Sequence, residues 1–298
     1  MSSTTQTTMV LVRELLAWNL DEYPYRDEAI AGDTVQLAKK MEYARANLVR
    51  RAPYEPRIAL LNEKTRQLHK MLAPQAHRAD LEQEYKGLDW SIGIVDLRCL
   101  LAFQRRLVFD PALPTPVKPQ QEDWSALHSL CFAPPRSTEY RVTAQMHSDK
   151  GLDITLQSAN PDLHLHLAEP VARNAVSSLV LYGGSPFFEV AEYRGRWFLR
   201  DGYHRAYYLL QAGIHSMVAI IIRARTIDEL GATQPWFFCE DLLFSDCPPQ
   251  VTDFLDDSLV VNYNRPRLTK TIRIQIEECL QPSSSVELTS DELQGETA

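Results

Sequence analysis

The sequence predicts an α+β protein on three observations. Apolar residues recur near the helical period over much of the first eighty positions, short β-type runs take over from Trp90, and residues 183–223 read as strand, turn, strand, helix and strand in quick succession. The chain has 298 residues, 45% hydrophobic and 23% charged, enough for one large domain or two modest ones with real cores. Its formal net charge of −8 argues against a protein whose whole surface binds nucleic acid. No run of about 18 apolar residues is present to span a bilayer. The start, MSSTTQTTMVLVRELLAW, lacks a basic n-region and a small-residue cleavage site, so a cytoplasmic location is expected. Cys99, Cys131, Cys239, Cys247 and Cys279 are odd in number, widely spaced and without a CxxC pair, which points to reduced thiols rather than to disulfides or a thiolate zinc site.

In chain order, Met9, Leu11, Leu15, Leu16 and Leu20 predict a short amphipathic helix over 9–20, broken near Pro24. A second helix is expected over 33–51, capped by Asp33 or Thr34, and a third from about Pro56 to Leu72, with Ile58, Leu61, Leu68 and Leu72 on one stripe. Strands are expected at Ile92–Leu97 and Leu107–Phe109, followed by the proline-rich loop PALPTPVKPQ. Further strands at Tyr140–Met146, Asp153–Gln157 and Asp162–Leu167 form a candidate antiparallel insertion, and 170–182 reads as a helix ending at Gly183–Gly184. His164 and His166, two apart on a strand, share a face; the pattern fits the solvated side of an alternating strand better than a metal site, which would need a third ligand.

Charge is unevenly placed. From Lys39 to Arg78 there are ten Lys/Arg against three Glu, a local balance of +7. From Thr226 to Asn262 there is no Lys or Arg, while Asp228, Glu229, Glu240, Asp241, Asp246, Asp253, Asp256 and Asp257 contribute −8. The two segments could pair across the core, the basic one could track a polyanion, and the acidic one could help hold Mg²⁺ beside a nucleotide. Trp236, Phe237, Phe238, Phe244 and Phe254 are expected to anchor the acidic segment on the core.

The most legible stretch is GGSPFFEVAEYRGRWFLRDGYHRAYYLLQAGIHSMVAIIIR. It predicts strands at Phe187–Tyr193 and Arg196–Arg200 joined by a turn at Arg194–Gly195. A tight loop at Asp201–Gly202 then opens a helix, Gly213 caps that helix, and Met217–Ile222 is a central strand. Backbone N–H groups at such a helix start point, with the positive end of the dipole, toward whatever lies above the loop. Gly202 would let a ligand approach, and His204 and Arg205 would add donors, which together describe an anion site suited to phosphate. Neither a Walker A loop, a GxGxxG fingerprint nor a nucleophile elbow occurs.

The order GG-x-P, strand hairpin, DGYHRA, short helix, AGI and apolar strand resembles the nucleotide-binding fold shared by the ParB N-terminal domain, sulfiredoxin and the ParB-like free serine kinases, over roughly residues 90–225. The resemblance implies nucleotide phosphates at the box. Sulfiredoxin-like proteins carry Gly-Cys-His-Arg there; Tyr203 stands in the cysteine's place, which speaks against sulfinic acid reduction. ParB proteins carry Gly-Glu-Arg-Arg, matched only by Gly202 and Arg205. The serine kinases carry Asp-Gly-His-His-Arg, matched by Asp201, Gly202, His204 and Arg205. Their catalytic acid lies upstream, where Asp96 and Glu189 are the candidates.

The organisation expected is a helical N-terminal region (1–89), a ParB/sulfiredoxin-like core (90–225) with a β insertion at about 120–167, an acidic appendage (226–280) and a disordered tail (281–298). The first functional expectation is phosphate binding of ATP, ADP or CTP, with Mg²⁺, and phosphoryl transfer to a small molecule. Asp201 and His204 are then the candidate catalytic residues, and Gly202, Tyr203, His204 and Arg205 the phosphate-binding ones. No protein metal site and no membrane partner is expected. The alternative is a non-catalytic scaffold with a relict core, its basic region docking nucleic acid or an acidic protein through residues such as Arg50 and Arg51; a third reading is a ParB-like nuclease, an activity described for some relatives.

Overall fold

The computed structural model describes residues 8–18, 34–111, 119–120, 122–132, 140–146, 151–160, 163–168 and 178–277. Most of the proline-rich loop, all of the 20s and the C-terminal tail lie outside these. The chain divides into two compact units: Met1–Arg136 with Ser185–Arg267, and Ser137–Gly184 with Leu268–Ala298. The α+β class is present, with helices and several separate sheets.

In chain order the first unit contains β1 (Met9–Leu15), α1 (Thr34–Val49), α2 (Asn62–Gln67), α3 (His69–Leu72), α4 (Ala79–Glu84), β2 (Trp90–Asp96), β3 (Leu101–Ala102), β4 (Arg106–Phe109) and α5 (Trp124–Cys131). The second unit supplies β5 (Arg141–Met146), β6 (Gly151–Ser158), β7 (His164–Ala168) and β8 (Ser178–Tyr182). The chain returns to the first unit with β9 (Glu189–Tyr193), β10 (Arg196–Asp201), α6 (Tyr203–Gln211), β11 (Ser216–Ala224), α7 (Ile227–Leu230), α8 (Glu240–Leu243) and β12 (Val260–Pro266), and β13 (Lys270–Glu277) rejoins the second.

The first unit is built on a five-stranded mixed sheet in the order β2-β11-β9-β10-β3. Its interior strand β11 buries every residue from Met217 to Ile222, as an unbroken apolar run requires of a strand covered on both faces. Arg194 and Gly195, both at positive φ, make the tight turn of the β9-β10 hairpin. α6 buries Tyr203, Ala206, Leu209 and Leu210, and Gly213 (φ +75°) closes it with an Ile214 N–H bond to the Leu209 carbonyl. A second sheet, β12-β1-β4, completes the unit. The anchoring expected of the aromatic segment is seen in part: Phe238 and Phe254 are buried and Phe237 lies 4.9 Å from Phe103, while Trp236 stays largely exposed.

Three expected helices are corrected. Residues 9–15 form a strand, because Val10 and Val12 are buried between exposed Met9 and Leu11, a period of two, and because β12 and β4 pair with both edges. The expected helix from Pro56 is extended as far as Leu61, where Leu61 N–H bonds the Ile94 carbonyl and Asp96 N–H bonds the Ala59 carbonyl along the edge of β2. Only then do the short helices α2 and α3 begin, and Ile58, assigned to the buried stripe, is 73% exposed. Ser178–Tyr182 is a strand paired with β7, so Gly183 follows a strand and caps no helix; residues 169–177 lie outside the described set.

In the second unit, β13-β6-β5 is an antiparallel sheet and β7-β8 a separate hairpin. In that hairpin His164 pairs with Tyr182 and His166 with Val180.

Candidate functional site

The DGYHR box sits where β10 runs into α6, and the backbone makes the corner at Gly202. Its φ of +96° disfavours any residue with a side chain. A Cβ there would stand 2.5 Å from a ring carbon of Phe188. The close approach that glycine permits is therefore made by the chain's own phenylalanine.

Each side chain of the box meets the protein. The Tyr203 hydroxyl, buried, accepts the N–H groups of Phe103 at 3.0 Å and Gln104 at 3.2 Å, and its ring packs edge-on to Phe103 and Phe254. Burial pushes the phenol well above its ordinary pKa. His204 Nε2 donates to the Val108 carbonyl at 2.9 Å, with its ring edge-on to Phe109. Arg205 donates to the carbonyls of Leu130 (2.9 Å), Pro186 (2.8 Å) and Phe187 (2.5 Å), and lies 3.6 Å from Asp201 Oδ1. Asp201 accepts the Gly202 N–H, placing a carboxylate of the chain itself beside the helix start. At 42% side-chain exposure it is more open than Arg205, at 15%.

The upstream acid candidates are held as well. Glu189 is buried, taking the Tyr85 hydroxyl on Oε1 at 2.6 Å and Arg200 on Oε2. The register shift between Leu199 and Asp201 places Arg200 at a β-bulge, which re-aims it toward Glu189. Asp96 caps the turn after β2 and binds Arg98; although burial opposes it, those bonds hold its carboxyl below the usual range. Sequence reading missed Tyr85 and Arg200, and no local pattern marks either one: Tyr85 is 104 residues from its partner.

Of the polyanion candidates, Arg50 is exposed while Arg51 makes two bonds to Asp253, at 3.0 and 2.5 Å. That pair joins the basic segment to the acidic one. Lys64 bonds Glu122 and Arg78 bonds Asp80. Lys39, Lys40, Arg50, Arg57, Arg66 and Lys70 are exposed. A mostly apolar hollow of about 480 Å³ lies by Trp18, Leu48 and Leu242, away from the box. Among the described residues no group of three His, Cys, Asp or Glu is placed to hold a metal ion, and no helix is long and apolar enough to cross a membrane.

No protein-family model matches the chain, and neither a curated protein nor a solved structure matches it.

Proposed function

We propose that this chain is a non-catalytic binding protein on a relict ParB/sulfiredoxin-like core, and that its basic N-terminal helical region docks a polyanionic partner. The observation that carries this reading is the engagement of Arg205 by three backbone carbonyls. A guanidinium holding the Leu130 and Pro186–Phe187 segments against α6 has few donors left for a phosphate.

Its neighbours support the same conclusion. Phe188 stands where a side chain at position 202 would go, the Tyr203 hydroxyl caps two amides, and the Asp201 carboxylate already faces the amide of Gly202. On this reading the box has little left to offer a nucleoside triphosphate. On the docking side, Lys39, Lys40, Arg50 and Arg57 are each exposed, as is the aromatic Tyr43, and exposed basic and aromatic side chains are the residue types that track a phosphate backbone.

Two measurements test the reading. Titration calorimetry of ATP, ADP and CTP with Mg²⁺ is expected to give no binding heat; a saturable heat whose strength changes in an Asp201→Ala variant would restore the nucleotide site. Gel shifts with duplex and single-stranded nucleic acid at two salt concentrations are expected to weaken steeply with salt and with Arg50→Glu plus Arg57→Glu. Arg51 is unsuitable for that test because its loss would strand the buried Asp253 carboxylate.

A further inference from the structure

The register of the second unit sorts its residues by face. Val142, Ala144 and Met146 on β5 lie opposite Leu156, Ile154 and Leu152 on β6, which lie opposite Ile272, Ile274 and Ile276 on β13. Nine apolar residues therefore line one face. Ser158 and Lys270 close one end of that face, and the other face carries no apolar side chain, its residues including Arg141, Thr143, Gln145, Asp153, Thr155, Arg273 and Gln275.

The apolar face is covered unevenly. Leu156 is buried and Ile154, Ile272 and Ile274 are half-buried, but on β5 exposure rises to 53% at Val142 and 83% at Met146. All six residues of β5 are exposed. It is the outer strand of its sheet, with no neighbour on its far side among the described residues. Edge strands are ordinarily guarded by prolines, bulges or several charges. β5 has no proline, keeps continuous register with β6 and carries one charge, Arg141.

We infer that β5 pairs with the β5 strand of a second copy of this chain, antiparallel about a two-fold axis at Ala144. Apolar and polar faces stay continuous only if paired positions have the same parity. The register centred on Ala144 meets that condition, setting Val142 against Met146 of the copy and Thr143 against Gln145 of the copy. The two three-stranded sheets become one of six strands.

Charge favours the antiparallel sense. A parallel pair would set Arg141 against its own copy, whereas here the two arginines lie at opposite ends of a seam about 20 Å long, beyond a Debye length at physiological salt. A six-residue seam is small beside the roughly 800 Å² per partner of a stable interface. The dimer is accordingly weak and dependent on concentration.

Sedimentation velocity of the full chain over a concentration series tests this. A dimer fraction rising with concentration is expected, with Ala144→Glu and Ala144→Lys each weakening association at least tenfold because position 144 faces itself. An equimolar mixture of the two variants is expected to restore the dimer. A monomer at every concentration, an unchanged dimer in both variants, or loss in both without rescue on mixing would each overturn the proposal, the first leaving the strand for an extended peptide. If either variant loses its cooperative melt, a chain carrying both Val142→Lys and Met146→Glu replaces it. That chain sets opposite charges across the seam and is expected to dimerise, whereas Val142→Lys alone is not; failure of the doubly substituted chain overturns the register.

Discussion

The start of α6 and the sheet β13-β6-β5 handle polarity in opposite ways. At α6, polar side chains turn inward: Tyr203 caps two amides within the core and Arg205 ties three carbonyls. On the small sheet, apolar side chains turn outward, with Val142, Met146 and Ile276 substantially exposed. The difference separates what a residue is from what it is used for. A box that reads as a ligand site holds segments of the fold together, and a strand with no recognisable motif presents the more open surface.

The largest effect is expected where the inward-turned polar groups have the most partners. Arg205→Ala leaves three carbonyl groups without their donor, a loss of about 3 kcal/mol or more of unfolding free energy. Arg205→Lys keeps the charge but cannot reach three acceptors with the same planar fork, and is expected to recover less than half of the loss. Urea denaturation of both variants checks this. A change below about 0.5 kcal/mol for Arg205→Ala would mean that the guanidinium is not the clamp, and would reopen the box as a ligand site.

Next comes Gly202→Ala. The added methyl must tolerate φ of +96° and displace the Phe188 ring, together costing about 2–3 kcal/mol. Tyr203→Phe removes only one oxygen but strands two amide groups, for about 1–2 kcal/mol. If the box were kept for binding alone, these two substitutions would alter ligand affinity while leaving the denaturation midpoint in place. A lowered midpoint is the expected outcome for both.

How much of this could be read from the sequence depends on how far away each partner lies. The β9-β10 hairpin, α6 and β11 were legible because their signals are local: a turn at Arg194–Gly195, a glycine on each side of the helix, and an apolar run long enough for a buried strand. β1 was misread because Met9, Leu11 and Leu15 fit either period over so short a window. What decides is β12, about 250 residues downstream. The box was found, but the direction of its side chains was not, since the acceptors of Arg205 come from positions 130, 186 and 187 and the donors to Tyr203 from 103 and 104. Charge asymmetry between the 39–78 and 226–262 segments was visible, yet composition could not single out Arg51 and Asp253 as the pair that joins them.

The smallest effect is expected at the outward-turned apolar residues. Met146 is 83% exposed at the end of β5, so replacing it by serine removes little buried surface. The expected change in stability is within about 0.5 kcal/mol, the range of ordinary surface substitutions. Thermal denaturation at low protein concentration, where the chain is monomeric, measures this without a contribution from association. A substantial loss there would mean that Met146 is packed against something in the monomer. An unchanged midpoint beside the large loss at Arg205 would show that stability resides in the polar clamp, and that the apolar strand is free to serve an interface.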